Sequence, residues 1–139
     1  LATKLGLEAE LLLGNWREGA KPEAIEQALS EDENRAIQAV CVVHNDTATG
    51  ITSDIPAIRN AINHAGHPAL FLVDTISSLG SMDYRHDEWG VDVTIGGSQK
   101  GLMMPPGLAF NAVGDKALAA SKTALLRTLP QRADLRCFS

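Results

Sequence analysis

The chain has 139 residues, of which 45% are hydrophobic, and its formal net charge is −5. This is enough chain to bury one globular core, while the acidic balance leaves no basic patch that would favour a nucleic-acid partner. No apolar run approaches membrane-spanning length, and no signal peptide is recognisable ahead of the first predicted strand. We therefore expect a cytoplasmic protein, with an organelle as the alternative.

The first third of the chain predicts a helix end, a strand and a second helix. Residues 5–10 are predicted to end a helix, and the apolar residues 11–13 predict a short strand. Pro22 favours the first turn of the next helix, because its ring pre-sets a helical φ angle and the N–H it lacks is not needed there. The apolar residues of this helix recur at helical spacing: Ile25, Ala28 and Leu29.

The rest of the chain alternates between apolar runs and helical segments. The helix after the first run has Thr52 or Ser53 as its predicted N-cap, and it ends near Gly66. A last helix is predicted from Lys116. The apolar runs, which predict buried strands, span 36–43, 69–73, 91–95 and 108–113. This alternation predicts an α/β fold with a mostly parallel sheet covered by helices.

Lys100 lies in an unusual setting, the stretch VTIGGSQKGLMMPPG at residues 93–107. An uncharged run at residues 102–106 follows it, and enclosure by such residues disfavours the ammonium and lowers the pKa. A neutral lysine is the nucleophile that imine chemistry needs, and the neighbouring glycines would let a flat ligand approach the backbone. The alternative is a surface lysine on a turn, with its stem lying on apolar neighbours.

Asp74 ends a second informative stretch, because it directly follows the apolar run at residues 69–73. Ligands of open α/β sheets bind at the carboxyl ends of the strands, and a carboxylate placed there needs a cation or several donors. A protonated pyridine nitrogen is such a cation, and pyridoxal phosphate enzymes pair it with an acid while a lysine holds the other end of the ring. The alternative is a helix or turn cap.

Two segments resemble a known family. Residues 73–110 (VDTISSLGSMDYRHDEWGVDVTIGGSQKGLMMPPGLAF) resemble the core of the class V, fold-type-I aminotransferases, most of all the branch with serine–glyoxylate and alanine–glyoxylate aminotransferases. Residues 44–50 (HNDTATG) match that family's His-Asn-Glu-Thr-Ser-Thr-Gly segment except at Asp46 and Ala48. The spacing from Asp74 to Lys100 also fits, and the resemblance covers roughly residues 5–123.

The resemblance implies pyridoxal 5'-phosphate as the cofactor and assigns roles to four residues. Lys100 would hold the cofactor as a Schiff base and move the substrate's proton, and Asp74 would keep the pyridine nitrogen protonated. Thr47 would hydrogen-bond the cofactor, Gln99 would contact its phosphate, and no metal is expected. The implied reaction moves an amino group from a small amino acid, serine or alanine, to a 2-oxo acid such as glyoxylate, in a homodimer or higher homo-oligomer without a membrane partner.

The resemblance also implies how the chain is organised. Residues 1–124 would be part of the cofactor-binding large domain, and residues 125–139 depart from the family pattern. Because the chain begins without methionine, we expect a piece of a longer protein. The alternatives are a non-catalytic truncated α/β fragment of such an enzyme, or another fold-type-I enzyme such as a lyase or desulfurase. Neither Cys41 nor Cys137 occupies a plausible desulfurase loop after the lysine.

Overall fold

A computed structural model of the chain describes residues 7–124 and the backbone of residues 133–138. Nine elements follow one another in these ranges, and the first strand precedes the first helix. In chain order they are β1 (Leu7–Leu12), α1 (Pro22–Ser30), β2 (Ile37–Val43), α2 (Ile55–His64), β3 (Leu70–Asp74), β4 (Val93–Gly97), β5 (Ala109–Val113), α3 (Asp115–Ala124) and β6 (Ala133–Phe138). Each described helix is too short or too polar to cross a membrane.

The strands form one sheet in the order β1-β6-β2-β3-β4-β5. All neighbours pair in parallel except β4 and β5, which are antiparallel. The predicted α/β fold with a mostly parallel sheet is therefore confirmed. Because β2, β3 and β4 run the same way, their carboxyl ends meet at one edge, where Asp74 pairs with Val43 on one side and with Ile95 on the other.

The core lies where α1 and α2 pack on the middle of the sheet. The helices contribute apolar residues at i, i+3 and i+4 spacing, as predicted. The strand β3 contributes alternate residues, while β2 buries the adjacent Ala39 and Val40 at a shift in its register. The fully buried large side chains of the core include Ile25, Leu29, Ile37, Val40, Ile55, Ile58, Ile62, Phe71 and Val73. These helices therefore pack on β2 and β3, two of the strands that end at the carboxyl edge.

Asp54, rather than Thr52 or Ser53, caps α2. Its carboxylate accepts a hydrogen bond from the Ala57 backbone N–H at 2.9 Å, and its own backbone is extended. The Ser53 hydroxyl instead accepts from the Ala20 backbone N–H at 3.2 Å. The predicted N-cap was wrong by one or two residues, because this tertiary contact engages Ser53 elsewhere.

The predicted helix end at residues 5–10 is a strand over residues 7–10, and residues 5–6 lie outside the described part. Leu7, Ala9 and Leu11 alternate with Glu8 and Glu10, which is the two-residue period of a strand. The six residues of β1 pair in parallel with β6. Within the tail that departs from the family pattern, residues 125–132 and 139 and the side chain of Cys137 also lie outside the described residues.

Candidate active site

The four predicted site residues lie at the carboxyl edge of β2, β3 and β4, three of them in loops and one at a strand end. Thr47 follows β2, Asp74 is the last residue of β3, and Gln99 and Lys100 follow β4. Neighbouring parallel strands carry these loops, with β3 in the centre. The structure thus places all four residues at one edge of the sheet, as the rule for open α/β sheets predicts.

The Asp74 carboxylate is half-buried and keeps one oxygen available. Its Oδ1 accepts a hydrogen bond from the Ile76 backbone N–H at 2.8 Å, which is the turn-capping contact of the alternative interpretation. No donor from the described residues contacts Oδ2. The backbone carbonyl of Asp74 accepts from the His44 N–H at 2.9 Å, so the strand end itself is held firmly.

Lys100 is exposed, so the predicted enclosure of its ammonium by apolar residues is wrong for this chain. The Met103 N–H donates to the Lys100 carbonyl at 2.9 Å and Met104 N–H to that of Ser98 at 3.0 Å, which closes a tight turn. Met103 has a left-handed φ of 53° and is 90% exposed. The apolar residues that follow Lys100 therefore do not enclose it, and the surface alternative describes the position observed.

The glycines around Lys100 allow two loops to pack closely. A Cβ on Gly96 would lie 2.7 Å from Leu79 Cδ2. A Cβ on Gly101 would overlap the Leu79 carbonyl oxygen and lie 2.8 Å from the Ser81 backbone nitrogen. Glycine is needed at these two positions because the segment after Asp74 leaves no room for a side chain. That segment, rather than a flat ligand as predicted, occupies the space next to Gly96 and Gly101.

Thr47 lies on an exposed turn closed by Asp46. The Asp46 carboxylate accepts from the Thr49 hydroxyl at 2.7 Å and from the Thr49 N–H at 2.8 Å, and the Gly50 N–H donates to the Asp46 carbonyl at 2.8 Å. The hydrogen bonds from the Thr49 hydroxyl and N–H lower the pKa of Asp46. The turn leaves Thr47 exposed, and Gln99 is exposed as well.

A cleft of about 190 Å³ adjoins the Thr47 turn on its β1 side. Its walls include Leu13, Trp16 and Ile51, with Asp46 and Thr49 at its polar rim. Neither Asp74 nor Lys100 lines it. The cleft therefore lies at the β2 end of this edge, next to the Thr47 turn and apart from Asp74 and Lys100.

A buried group beside the edge was not predicted to take part in the site. His44, the residue after β2, is 4% exposed, and its Nδ1 lies 2.9 Å from the hydroxyl of the fully buried Ser78. Its ring packs on Tyr84 and Trp89, with centroids 5.3 and 5.9 Å away. Burial lowers the pKa of His44. The only sequence signal was a histidine at a strand end, in a loop where we assigned it no chemistry.

Comparisons with known proteins agree with the resemblance seen in the sequence. The family model for Aminotransferase class-V matches residues 1–126. The serine–glyoxylate aminotransferase of Methylorubrum extorquens is 55% identical over 122 residues, which are 88% of this chain and 30% of that protein. The L-aspartate–glyoxylate aminotransferase of Paracoccus denitrificans is 49% identical over 121 residues, which are 87% of this chain and 31% of that protein.

Solved structures also match the fold. The crystal structure of ureidoglycine–glyoxylate aminotransferase from Bacillus subtilis has a TM-score of 0.79 and 29% identity, covering 94% of this chain and 32% of that one. The chain spans about 30% of the length of the curated relatives it matches. With the family model, the relatives and the sheet in agreement, the chain belongs to the class-V aminotransferase family, whose members share the fold-type-I architecture.

Proposed function

We propose that this chain contributes the cofactor-binding centre of a pyridoxal phosphate-dependent aminotransferase. The observation that carries the proposal is that Asp74 and Lys100 follow neighbouring parallel strands at one sheet edge, with one Asp74 carboxylate oxygen left without a described donor. Residues 1–124 are then part of the large domain. The proposed reaction moves an amino group from serine or alanine to a 2-oxo acid such as glyoxylate, since relatives of this chain are named serine–glyoxylate and alanine–glyoxylate aminotransferases.

The chemistry of the side chains fits this cofactor. Lys100 supplies a primary amine for a carbonyl carbon, and Asp74 supplies an anion for a protonated ring nitrogen. Thr47 and Gln99 supply a hydroxyl and an amide, which can donate to a ring substituent and to phosphate oxygens. The exposure of Thr47, Gln99 and Lys100 leaves these groups accessible from solvent.

Asp74 and Lys100 each have a defined role in the proposed reaction. Bound pyridoxal phosphate would withdraw electrons from the substrate's α-carbon, which is the chemistry that the amino-group transfer requires. Asp74 would hold the ring nitrogen protonated through a charge-assisted hydrogen bond. Lys100 Nζ would hold the cofactor's carbonyl carbon until the substrate amine replaces it, and would then carry a proton to and from the α-carbon.

We further propose that the enzyme works as a homo-oligomer. All five residues of β5, which pairs with the strand that precedes Lys100, are exposed. Four large apolar side chains on and near β5 are exposed to water, which is unfavourable for apolar groups: Met103, Leu108, Phe110 and Val113. Several large apolar side chains exposed on and near one strand are typical of protein interfaces, and a partner that covered Met103 would also enclose the Lys100 turn.

A second candidate is a non-catalytic α/β segment that keeps the fold without turnover. The exposure of Lys100 favours this candidate for the 139-residue chain by itself, because a solvated ammonium is a poor nucleophile. A coupled assay with serine or alanine plus glyoxylate separates the two candidates. Turnover by the chain alone would exclude the non-catalytic segment.

The direct test of cofactor binding is covalent trapping. Purified chain mixed with pyridoxal phosphate should develop a visible chromophore that borohydride reduces, and mass spectrometry should place the adduct on Lys100. Lys100→Ala should abolish the adduct, while the control Lys122→Ala, which removes an exposed lysine on α3, should leave it unchanged. An adduct mainly on Lys116 or Lys122 would contradict the assignment.

A further inference from the structure

Residues 75–79, which directly follow Asp74, contact β4 on one side and the loop after β2 on the other. Toward β4, the Thr75 N–H and hydroxyl both donate to the Ile95 carbonyl, at 2.8 and 2.9 Å, and Leu79 packs on Gly96. Toward β2, the Ser77 hydroxyl donates to the Asn45 carbonyl. The Leu79 carbonyl also lies against Gly101, the residue after Lys100. Residues 75–79 therefore form a bridge between the loop that carries Thr47 and the loop that carries Lys100.

His44 is tied to this bridge at two points. Its backbone N–H donates to the Asp74 carbonyl at 2.9 Å, and its ring Nδ1 lies 2.9 Å from the Ser78 hydroxyl. Both side chains are buried, and the His44 ring is held between Tyr84 and Trp89. A ring packed on two aromatic neighbours has little freedom to turn, so the position of Nδ1 fixes that of Ser78.

We infer that His44 is a positioning residue for the proposed cofactor site, acting through Ser78 to hold the Asp74 segment and the Thr47 turn at a fixed separation. The inference rests on the proposed function, and it assigns His44 no contact with cofactor or substrate. Through this pair, a shift of the loop after β2 is passed to the segment after β3. Loss of the Ser78 hydroxyl should therefore loosen both segments together.

His67 provides a matched control for a purely structural role. It is also a buried histidine with a side-chain partner, since its Nε2 lies 3.1 Å from Asp32 Oδ2 and its Nδ1 accepts from the Ala69 N–H. It precedes β3 at the amino edge of the sheet, on the opposite side from Asp74. Replacing His67 should destabilise the fold without changing the carboxyl edge.

The first experiment measures amide hydrogen exchange of the full chain without cofactor. In Ser78→Ala, we expect exchange to rise about fivefold in both residues 45–51 and residues 75–79, the factor that corresponds to one net hydrogen bond. His44→Ala should reproduce this pattern, and His44→Asn should restore protection, because its amide can occupy the place of Nδ1. His67→Gln should raise exchange near Ala69 and Ile37 only.

The second experiment measures orientation rather than stability. With pyridoxal phosphate added, the visible circular dichroism per bound cofactor should fall in Ser78→Ala and His44→Ala, because the site would no longer hold the ring in one orientation. It should stay at the wild-type value in His67→Gln, even where that variant melts at a lower temperature. His44→Asn should recover most of the signal.

The outcomes separate the inference from the proposed function. If wild-type chain binds no pyridoxal phosphate, the proposed function fails, and the exchange pattern alone decides whether His44 and Ser78 couple the two segments. Exchange that rises in residues 75–79 but not in 45–51 would overturn the inference. Unchanged dichroism per bound cofactor in both Ser78→Ala and His44→Ala would overturn it as well.

Discussion

Arg59 and Asp92 form a buried ion pair between α2 and the residue before β4, with Nη2 and Oδ2 3.0 Å apart. The same carboxylate oxygen accepts from the Phe71 N–H at 2.7 Å and lies 3.5 Å from Lys116 Nζ. The Arg59 guanidinium lies over the Phe71 ring, 5.1 Å from its centroid, and its Nε has no partner among the described residues. One carboxylate at the residue before β4 thus contacts two helices, α2 and α3, and the strand β3.

We expect Asp92→Ala to lower the free energy of unfolding by about 3 kcal/mol, because breaking a buried pair leaves an uncompensated charge. Urea denaturation at neutral pH measures this. The control is Asp83→Ala, since the Asp83–Arg85 pair is exposed on both sides and such pairs contribute little. Similar losses in the two variants would contradict a structural role for Asp92.

Asp32 should make the fold sensitive to acid. Burial opposes its ionisation, but hydrogen bonds from the Ile37 and Ala36 N–H groups and from His67 outweigh burial and lower its pKa below 3.8. A depressed carboxylate pKa adds stability above the unfolded pKa, and this stability is lost as the pH falls through the folded pKa. Asp32→Asn should be less stable at neutral pH and should lose less on acidification. If the free energy of unfolding falls equally in the two proteins as the pH is lowered from neutral through the folded pKa of Asp32, the prediction is wrong.

Gly101→Ala should displace the Lys100 turn. The new Cβ would overlap the Leu79 carbonyl oxygen and approach the Ser81 nitrogen, neither of which can move freely, so overpacking should cost about 1–3 kcal/mol. Covalent trapping of pyridoxal phosphate at Lys100 should fall with it. Gly114→Ala is the control, because its nearest neighbour, the Asp92 carbonyl oxygen, would lie at an ordinary 3.5 Å.

Asp74→Asn should weaken cofactor binding while leaving the fold intact. An amide cannot balance a charged ring nitrogen, so the affinity for pyridoxal phosphate should fall at least about tenfold, in line with the loss of a charge-assisted hydrogen bond. Any transamination rate should fall about a hundredfold or more. The exposed Asp87 gives the control variant, Asp87→Asn. Affinity and rate both within about threefold of wild type would mean that Asp74 only caps the turn after β3.

The exposed strand β5 should drive self-association. Light scattering should give a mass above that of one chain, and Phe110→Lys should shift it toward the monomer, because a buried ammonium without a partner is costly. Trp16→Lys is the control, since Trp16 is 81% exposed and lies near the β1 end of the sheet. Dissociation by Trp16→Lys and not by Phe110→Lys would place the interface at the other end.

The sequence by itself determined the elements with a strong local pattern and the edge at which the site gathers. The apolar run before Asp74 predicted β3, and the spacing of Ile55, Ile58 and Ile62 predicted α2, because side-chain periodicity depends on neighbours in the chain. The rule that parallel strands present ligand sites at their carboxyl ends then brought Asp74 and Lys100 to one edge. The elements follow from short-range patterns in the sequence, and the shared edge follows from the common direction of the parallel strands.

Only the tertiary structure decided the contacts made across long stretches of chain. Arg59 meets Asp92 and His44 meets Ser78 over more than 30 residues in each case, and β6 lies between β1 and β2 although it comes last in the described chain. The exposure of Lys100 belongs here too, because it depends on a turn at Met103 rather than on the apolar composition of the run. Burial is a property of packing between elements, and a local sequence window does not contain the partner that provides it.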